Sequence, residues 1–123
     1  MNDVAIRVKG FGQSFGAVRK LKSLDLDVHR NEILGVIGPA RSGKSTFLCA
    51  LNRLNDLVRG SRVEGTITID GQDIYAPDVD VVALRRKLGM VFATPTPLPR
   101  SIYENVAFGA RMAGTRGREE LDA

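Results

Sequence analysis

At 123 residues the chain has room for one small hydrophobic core and not for two. An apolar share of 43% with 26% charged residues excludes a disordered chain, and a single cysteine, Cys49, excludes an internal disulfide and fits a reducing compartment. The net charge of +4 is spread thinly, with no polybasic arm and no tryptophan, so a nucleic-acid partner is not expected.

Met1-Asn2-Asp3 lacks the basic start and apolar run of a secretory leader, so a cytoplasmic chain is expected. Val4, Ile6 and Val8 alternate with Ala5, Arg7 and Lys9, the period of a half-buried strand, and Leu24, Leu26 and Val28 repeat the pattern more cleanly. Between them Gly10, Gly12 and Gly16 read as turns. Residues 32–37 differ: Ile33, Leu34, Val36 and Ile37 are apolar on near-consecutive positions, the mark of a strand covered on both faces in a parallel sheet. This apolar run is far short of the ~20 residues that span a bilayer.

After Gly43 the spacing turns helical, with Phe47, Leu48, Leu51 and Leu54 on one face and Gly60 as a stop. Thr66 to Ile69 followed by Asp70-Gly71 reads as a strand entering a hairpin turn. Asp80 is placed to cap a helix carrying Val81, Leu84 and Leu88. Met90-Val91-Phe92 reads as a second buried strand, and Pro95, Pro97 and Pro99 impose an extended loop. Ser101 to Phe108 reads as a helix, with Ser101 and Glu104 spaced as a capping box. The last residues, 118–123, look like the start of another helix.

Chemistry concentrates in Gly38-Pro39-Ala40-Arg41-Ser42-Gly43-Lys44-Ser45-Thr46, which fits G-x-x-x-x-G-K-[ST] between an apolar strand and an amphipathic helix. Glycines let the backbone curl so that several amides meet phosphate oxygens at once, and the helix start adds its dipole. In such a loop Lys44 serves the β- and γ-phosphates, the Ser45 hydroxyl ligates Mg²⁺, and Thr46 adds a hydroxyl near the α-phosphate. The loop residues from Gly38 to Thr46 are therefore the candidate ATP site, with Ser45 as its metal ligand.

Around this loop, Leu51-Asn52-Arg53-Leu54-Asn55-Asp56-Leu57, Asp70-Gly71-Gln72-Asp73-Ile74-Tyr75, Leu84-Arg85-Arg86 and Ser101 to Gly109 resemble the ATP-binding cassette (ABC) ATPases, and among them the phosphate-import subunits. The resemblance covers about Ile6 to Gly114. It implies an α/β P-loop core of parallel strands and helices with an N-terminal antiparallel β-subdomain, here truncated. Residues 1–92 would hold the β-subdomain and the loop, and 93–123 the Pro-rich loop and the start of a helical subdomain. It also implies Phe15 stacking on adenine with Val18 lining the same pocket. The implied partners are a second cassette and membrane-spanning phosphate-channel subunits, at the cytoplasmic face of the cell membrane.

Departures accompany it. Arg41 stands where such loops carry glycine, and Ala93 stands where the family places a glutamine that touches Mg²⁺ and water. The signature stretch, the acidic metal-binding strand, the catalytic glutamate and the switch histidine have no counterpart, and His29 reads as a surface residue. No catalytic residue is assigned, and this chain alone is not expected to hydrolyse ATP. The alternative reading is a non-catalytic nucleotide-binding module that pairs with complete cassettes or the channel.

Overall fold

The alternating runs at the N-terminus become two long antiparallel strands, β1 (Val4–Phe15) and β2 (Val18–His29), joined by a tight turn at Gly16. The computed structural model describes residues 3–115, with 117, 120 and 122; most of the expected helix over 118–123 lies outside these. The chain divides into units of residues 1–89 and 90–123.

In the first unit, β3 (Ser61–Ile69) pairs with the other edge of β1, and β4 (Gln72–Asp73) follows through a turn with positive φ at both Asp70 and Gly71. That backbone is what a two-residue hairpin needs, as the Asp-Gly pair indicated. The sheet order is β2-β1-β3-β4, antiparallel throughout. Gly10 and Gly12 are not turns but lie inside β1. The strand bulges at Gly10, where φ is +56°, and a Cβ on the facing Gly65 would fall 2.2 Å from the Gly10 carbonyl oxygen.

One face of the sheet presents Val8, Phe11 and Ile67 to α1 (Lys44–Leu51), which contributes Phe47 and Ala50. Ile74 and Leu84 of α2 (Val81–Lys87) complete this core. Asp80 caps α2 as its sequence position suggested: its Oδ1 accepts hydrogen bonds from the Val82 and Ala83 amides at 3.1 and 3.2 Å. The helix after the loop is shorter than its apolar spacing implied. It stops at Leu51, Arg53 takes a left-handed φ of +60°, and Leu54–Leu57 forms a separate 3-10 turn. The reason is local: Asn52 Oδ1 accepts from the Leu54 amide, an alternative to the helical ladder. Arg53, half-buried, bonds Asp56 at 2.8 Å, donates to the Ile74 carbonyl at 3.2 Å and lies 5.1 Å from the Tyr75 ring centroid.

The two apolar runs expected as buried parallel strands are a correction. Neither residues 33–37 nor 90–92 enters the sheet, and Ile33, Ile37 and Val91 are 99%, 95% and 98% exposed. A parallel strand needs a hydrogen-bonding neighbour and cover on both faces. Among the described residues no strand of the sheet lies beside either run.

In the second unit, α3 (Ile102–Met112) is capped by Ser101, whose Oγ accepts from the Glu104 amide at 3.1 Å. The reciprocal half of the capping box is not made, because Glu104 instead pairs with Arg111 at 3.3 Å. Asn105 fastens the Pro-rich loop to the helix: its Oδ1 accepts from the Leu98 amide and its Nδ2 donates to the Leu98, Arg100 and Ser101 carbonyls. Among the described residues, no helix is long and apolar enough to cross a membrane.

Candidate functional site

The glycine-rich loop takes its shape from three contacts. Gly43 at the entrance to α1 has φ +99°, a conformation that costs an L side chain strain, and its Cα faces β2. A Cβ there would fall 2.8 Å from Leu21 Cδ2 and 3.3 Å from the Lys20 carbonyl oxygen. At the other end, a Cβ on Gly38 would meet Ser42 Oγ at 2.9 Å, so the loop closes on itself tightly. Inside the curl, the Lys44 ammonium donates to the Gly38 and Pro39 carbonyls at 2.6 and 2.7 Å and to Ser42 Oγ at 3.3 Å.

From below, a buried polar chain braces the first turn of α1. Asn55 Nδ2 donates to the Thr46 carbonyl at 2.9 Å and to Gln13 Oε1 at 3.4 Å. Gln13, fully buried in β1, donates in turn to Ser61 Oγ and the Arg62 carbonyl. Buried amides satisfied in this way hold one geometry. Tyr75 adds a second tie: its hydroxyl donates to the Ala50 carbonyl at 2.8 Å, and its ring stacks on Phe11 at 5.9 Å. Burial, with Asp56 beside it, pushes the Tyr75 hydroxyl pKa well above the usual tyrosine range.

Ala40, Arg41, Gly43, Lys44, Ser45 and Thr46 surround one open hollow of about 310 Å³, and Lys20 of β2 joins them. Gly38, Pro39 and Ser42 line a neighbouring apolar hollow of about 300 Å³ against Leu21 and Phe47. Arg41 has φ +65°, so it carries the left-handed backbone that a glycine would adopt without strain. Ser45 is exposed on the first turn of α1. Phe15 and Val18 face each other at the tip of the β1–β2 hairpin, with Phe15 half-buried and stacked on no other described aromatic. His29 is exposed and pairs with Glu32 at 3.5 Å, a surface contact. No carboxylate lines the 310 Å³ hollow, and no group of acidic, histidine or cysteine side chains among the described residues could hold a metal by itself.

Sequence reasoning missed Lys20 and the Asn55–Gln13 brace. The first follows from a strand irregularity with no residue signature; the second was foreshadowed only by a glutamine inside an otherwise half-apolar strand.

A family model described as ABC transporter matches residues 21–122, so it spans the loop, both helices of the first unit and α3. The chain belongs to the ABC transporter family. Solved structures agree in fold. CbiO1 from Clostridium perfringens, part of the ABC transporter complex cbiONQ, superposes on this ABC-family chain with a TM-score of 0.77 at 24% identity, over 98% of this chain and 47% of that one. A bacterial Atm1-family ABC exporter with ATP bound gives 0.74 at 29% identity, over 98% of this chain and 20% of the exporter. This ABC-family chain therefore spans about half the length of the first and a fifth of the second.

Proposed function

We propose that the chain is the nucleotide-holding part of an ABC importer cassette, gripping MgATP in the hollow between Lys20 and Thr46. The observation that carries this reading is Lys44: its ammonium is already drawn into the curl by two carbonyls, where an anionic phosphate oxygen would exchange for them in stronger, charge-assisted bonds. The amides of Gly43 to Thr46 at the start of α1 supply the rest of the anion field. Arg41 adds positive charge at the rim. Phe15 offers a ring face for adenine, with Val18 against it.

Ser45 fits a magnesium ion: it is a hydroxyl on the first helical turn, beside Lys44 and facing the same hollow. When bound, Mg²⁺ would neutralise phosphate charge through that oxygen. The remaining ligands would come from ATP and water, since no described carboxylate joins the site.

The transported substrate is proposed as inorganic phosphate, on the likeness of the asparagine-rich segment after the loop, Leu51 to Leu57, and of the Pro-rich segment before Ser101 to phosphate-import subunits. A membrane-spanning channel and a second cassette are the partners this implies, and the cytoplasmic membrane face is the location. Residues 1–92 act as β-subdomain and loop, and 93–123 as the opening of a helical subdomain.

A second reading, a nucleotide-responsive module without turnover, is favoured by the same acid-free hollow and by Ala93, which is exposed and has no polar side-chain atom. Equilibrium dialysis with labelled ATP and Mg²⁺ tests the shared core of both. Saturable capture that disappears in Lys44→Ala is expected, and absence of capture at millimolar ATP would overturn it. Release of phosphate from ATP by this chain, abolished in Lys44→Ala, would overturn the non-catalytic reading. Co-purification with phosphate-channel subunits in preference to other importer channels tests the substrate.

A further inference from the structure

The hairpin that carries Phe15 and Val18 has a fault next to the phosphate loop. Ser14 pairs with Arg19, and the next residue back, Gln13, pairs with Leu21. The second strand thus spends two residues where the first spends one, and Lys20 has no partner opposite it. A bulge of this kind leaves its extra residue out of the ladder and re-aims the chain. Here it sends Leu21 inward against Gly43 and leaves Lys20, exposed, on the wall of the hollow with Arg41 and Lys44.

The charge around Lys20 is unbalanced. Arg7, Arg19, Arg30 and Arg53 each sit on a carboxylate, whereas Lys20 and Arg41 pair with none among the described residues. With no acid on the wall, these ammonium and guanidinium groups and that of Lys44 sum to one positive field. Lys20 also lies two residues along β2 from Val18, roughly 7 Å at strand rise. Its backbone abuts Gly43 of the loop, so Lys20 lies along β2 between the hairpin tip that carries Phe15 and the hollow.

We propose that Lys20, displaced by the bulge, is a further ligand-binding residue of this site and contacts the phosphate chain of a nucleoside triphosphate. This rests on the nucleotide reading given above and names a contact that the loop motif does not contain. Lys20 is a positioning and affinity residue; it takes part in no bond making.

The test compares wild type, Lys20→Gln, Lys20→Arg and Lys44→Ala by titration calorimetry, with MgATP and with magnesium tripolyphosphate as the base-free probe. Lys20→Gln is expected to weaken both ligands by about fivefold, the scale of one exposed charge pair. Lys20→Arg is expected to stay close to wild type, and the gap is expected to shrink as salt is raised, because the contact is exposed and screened. If Lys20→Gln binds both ligands like wild type while Lys44→Ala binds neither, the Lys20 contact is wrong and the nucleotide reading stands. If ATP weakens and tripolyphosphate does not, or if the gap ignores salt, the contact is not to phosphate and the proposal fails. If wild type binds neither ligand, the nucleotide reading itself fails.

Discussion

Arg41 offers the sharpest test of how this loop is built, because its backbone and its charge pull in opposite directions. At φ +65° an L residue pays a steric penalty of about 1–2 kcal/mol relative to glycine. Replacement by glycine relieves that strain but frees the unfolded chain, which takes back about 0.5–1 kcal/mol. The net expectation for Arg41→Gly is a gain of about 0.5–1 kcal/mol, or roughly 2–5 °C in melting temperature for a unit of this size. Alanine in the same place keeps a Cβ and most of the strain, so Arg41→Ala is expected to melt close to wild type.

Both variants remove one guanidinium from the rim of the hollow. An exposed charge next to phosphate is worth on the order of 0.5–1 kcal/mol, so each is expected to weaken MgATP about two- to fivefold. Stability and affinity therefore separate: glycine raises one and lowers the other, and alanine lowers affinity alone. Scanning calorimetry and titration calorimetry on the same preparations read the two axes. If Arg41→Gly melts no higher than Arg41→Ala, the strain argument is refuted. If neither variant changes ATP affinity at low salt, the charge of Arg41 is not felt at the site.

Gly43→Ala faces both a left-handed φ of +99° and a contact 2.8 Å from Leu21, so it is expected to cost about 2–4 kcal/mol and to lower the urea midpoint accordingly. Tyr75 sets an alkaline limit. Its folded pKa is raised, so the native state holds its proton where the unfolded chain has released it; the stabilisation is complete below pH ~10 and falls as pH rises beyond that. Tyr75→Phe is expected to lose about 1 kcal/mol at neutral pH with its bond to the Ala50 carbonyl, and to flatten the alkaline decline; unchanged steepness would contradict the assignment. Asn55→Ala strands Gln13 Oε1 in the interior and removes the brace on Thr46, an expected loss of about 1–3 kcal/mol by urea unfolding.

The readable parts of this chain were those set by neighbours in sequence. Asp70-Gly71 specifies its own turn, Asp80 and Ser101 cap the helices that follow them, and the loop from Gly38 to Thr46 announces itself by residue type. The misread parts depended on residues distant in the chain. Gly10 and Gly12 look like turns until β3 is placed beside β1, when Gly65 is seen to need the bulge at Gly10. Apolar runs at 33–37 and 90–92 read as buried strands because of residue type alone, but residue type supplies no neighbouring strand, and Ile33, Ile37 and Val91 lie exposed. The length of α1 was overread because Leu54 keeps the helical period while Asn52 diverts the backbone.

The loop is curled although the residues before it form no strand. Residues 33–37 are unpaired, yet the curl from Gly38 to Gly43 is closed, with Lys44 seated inside it. What holds it arrives from the other side: β2 presses Leu21 and the Lys20 carbonyl onto Gly43, and β1 and the 3-10 turn hold Thr46 through Gln13 and Asn55. The antiparallel hairpin is thus part of the wall of the loop, and under the proposed nucleotide reading it would serve the phosphates as well as the base. It follows that repairing the register between Ser14 and Leu21, by deleting Lys20, would disturb Gly43 and the grip of the loop even though every residue of the loop motif remained in place.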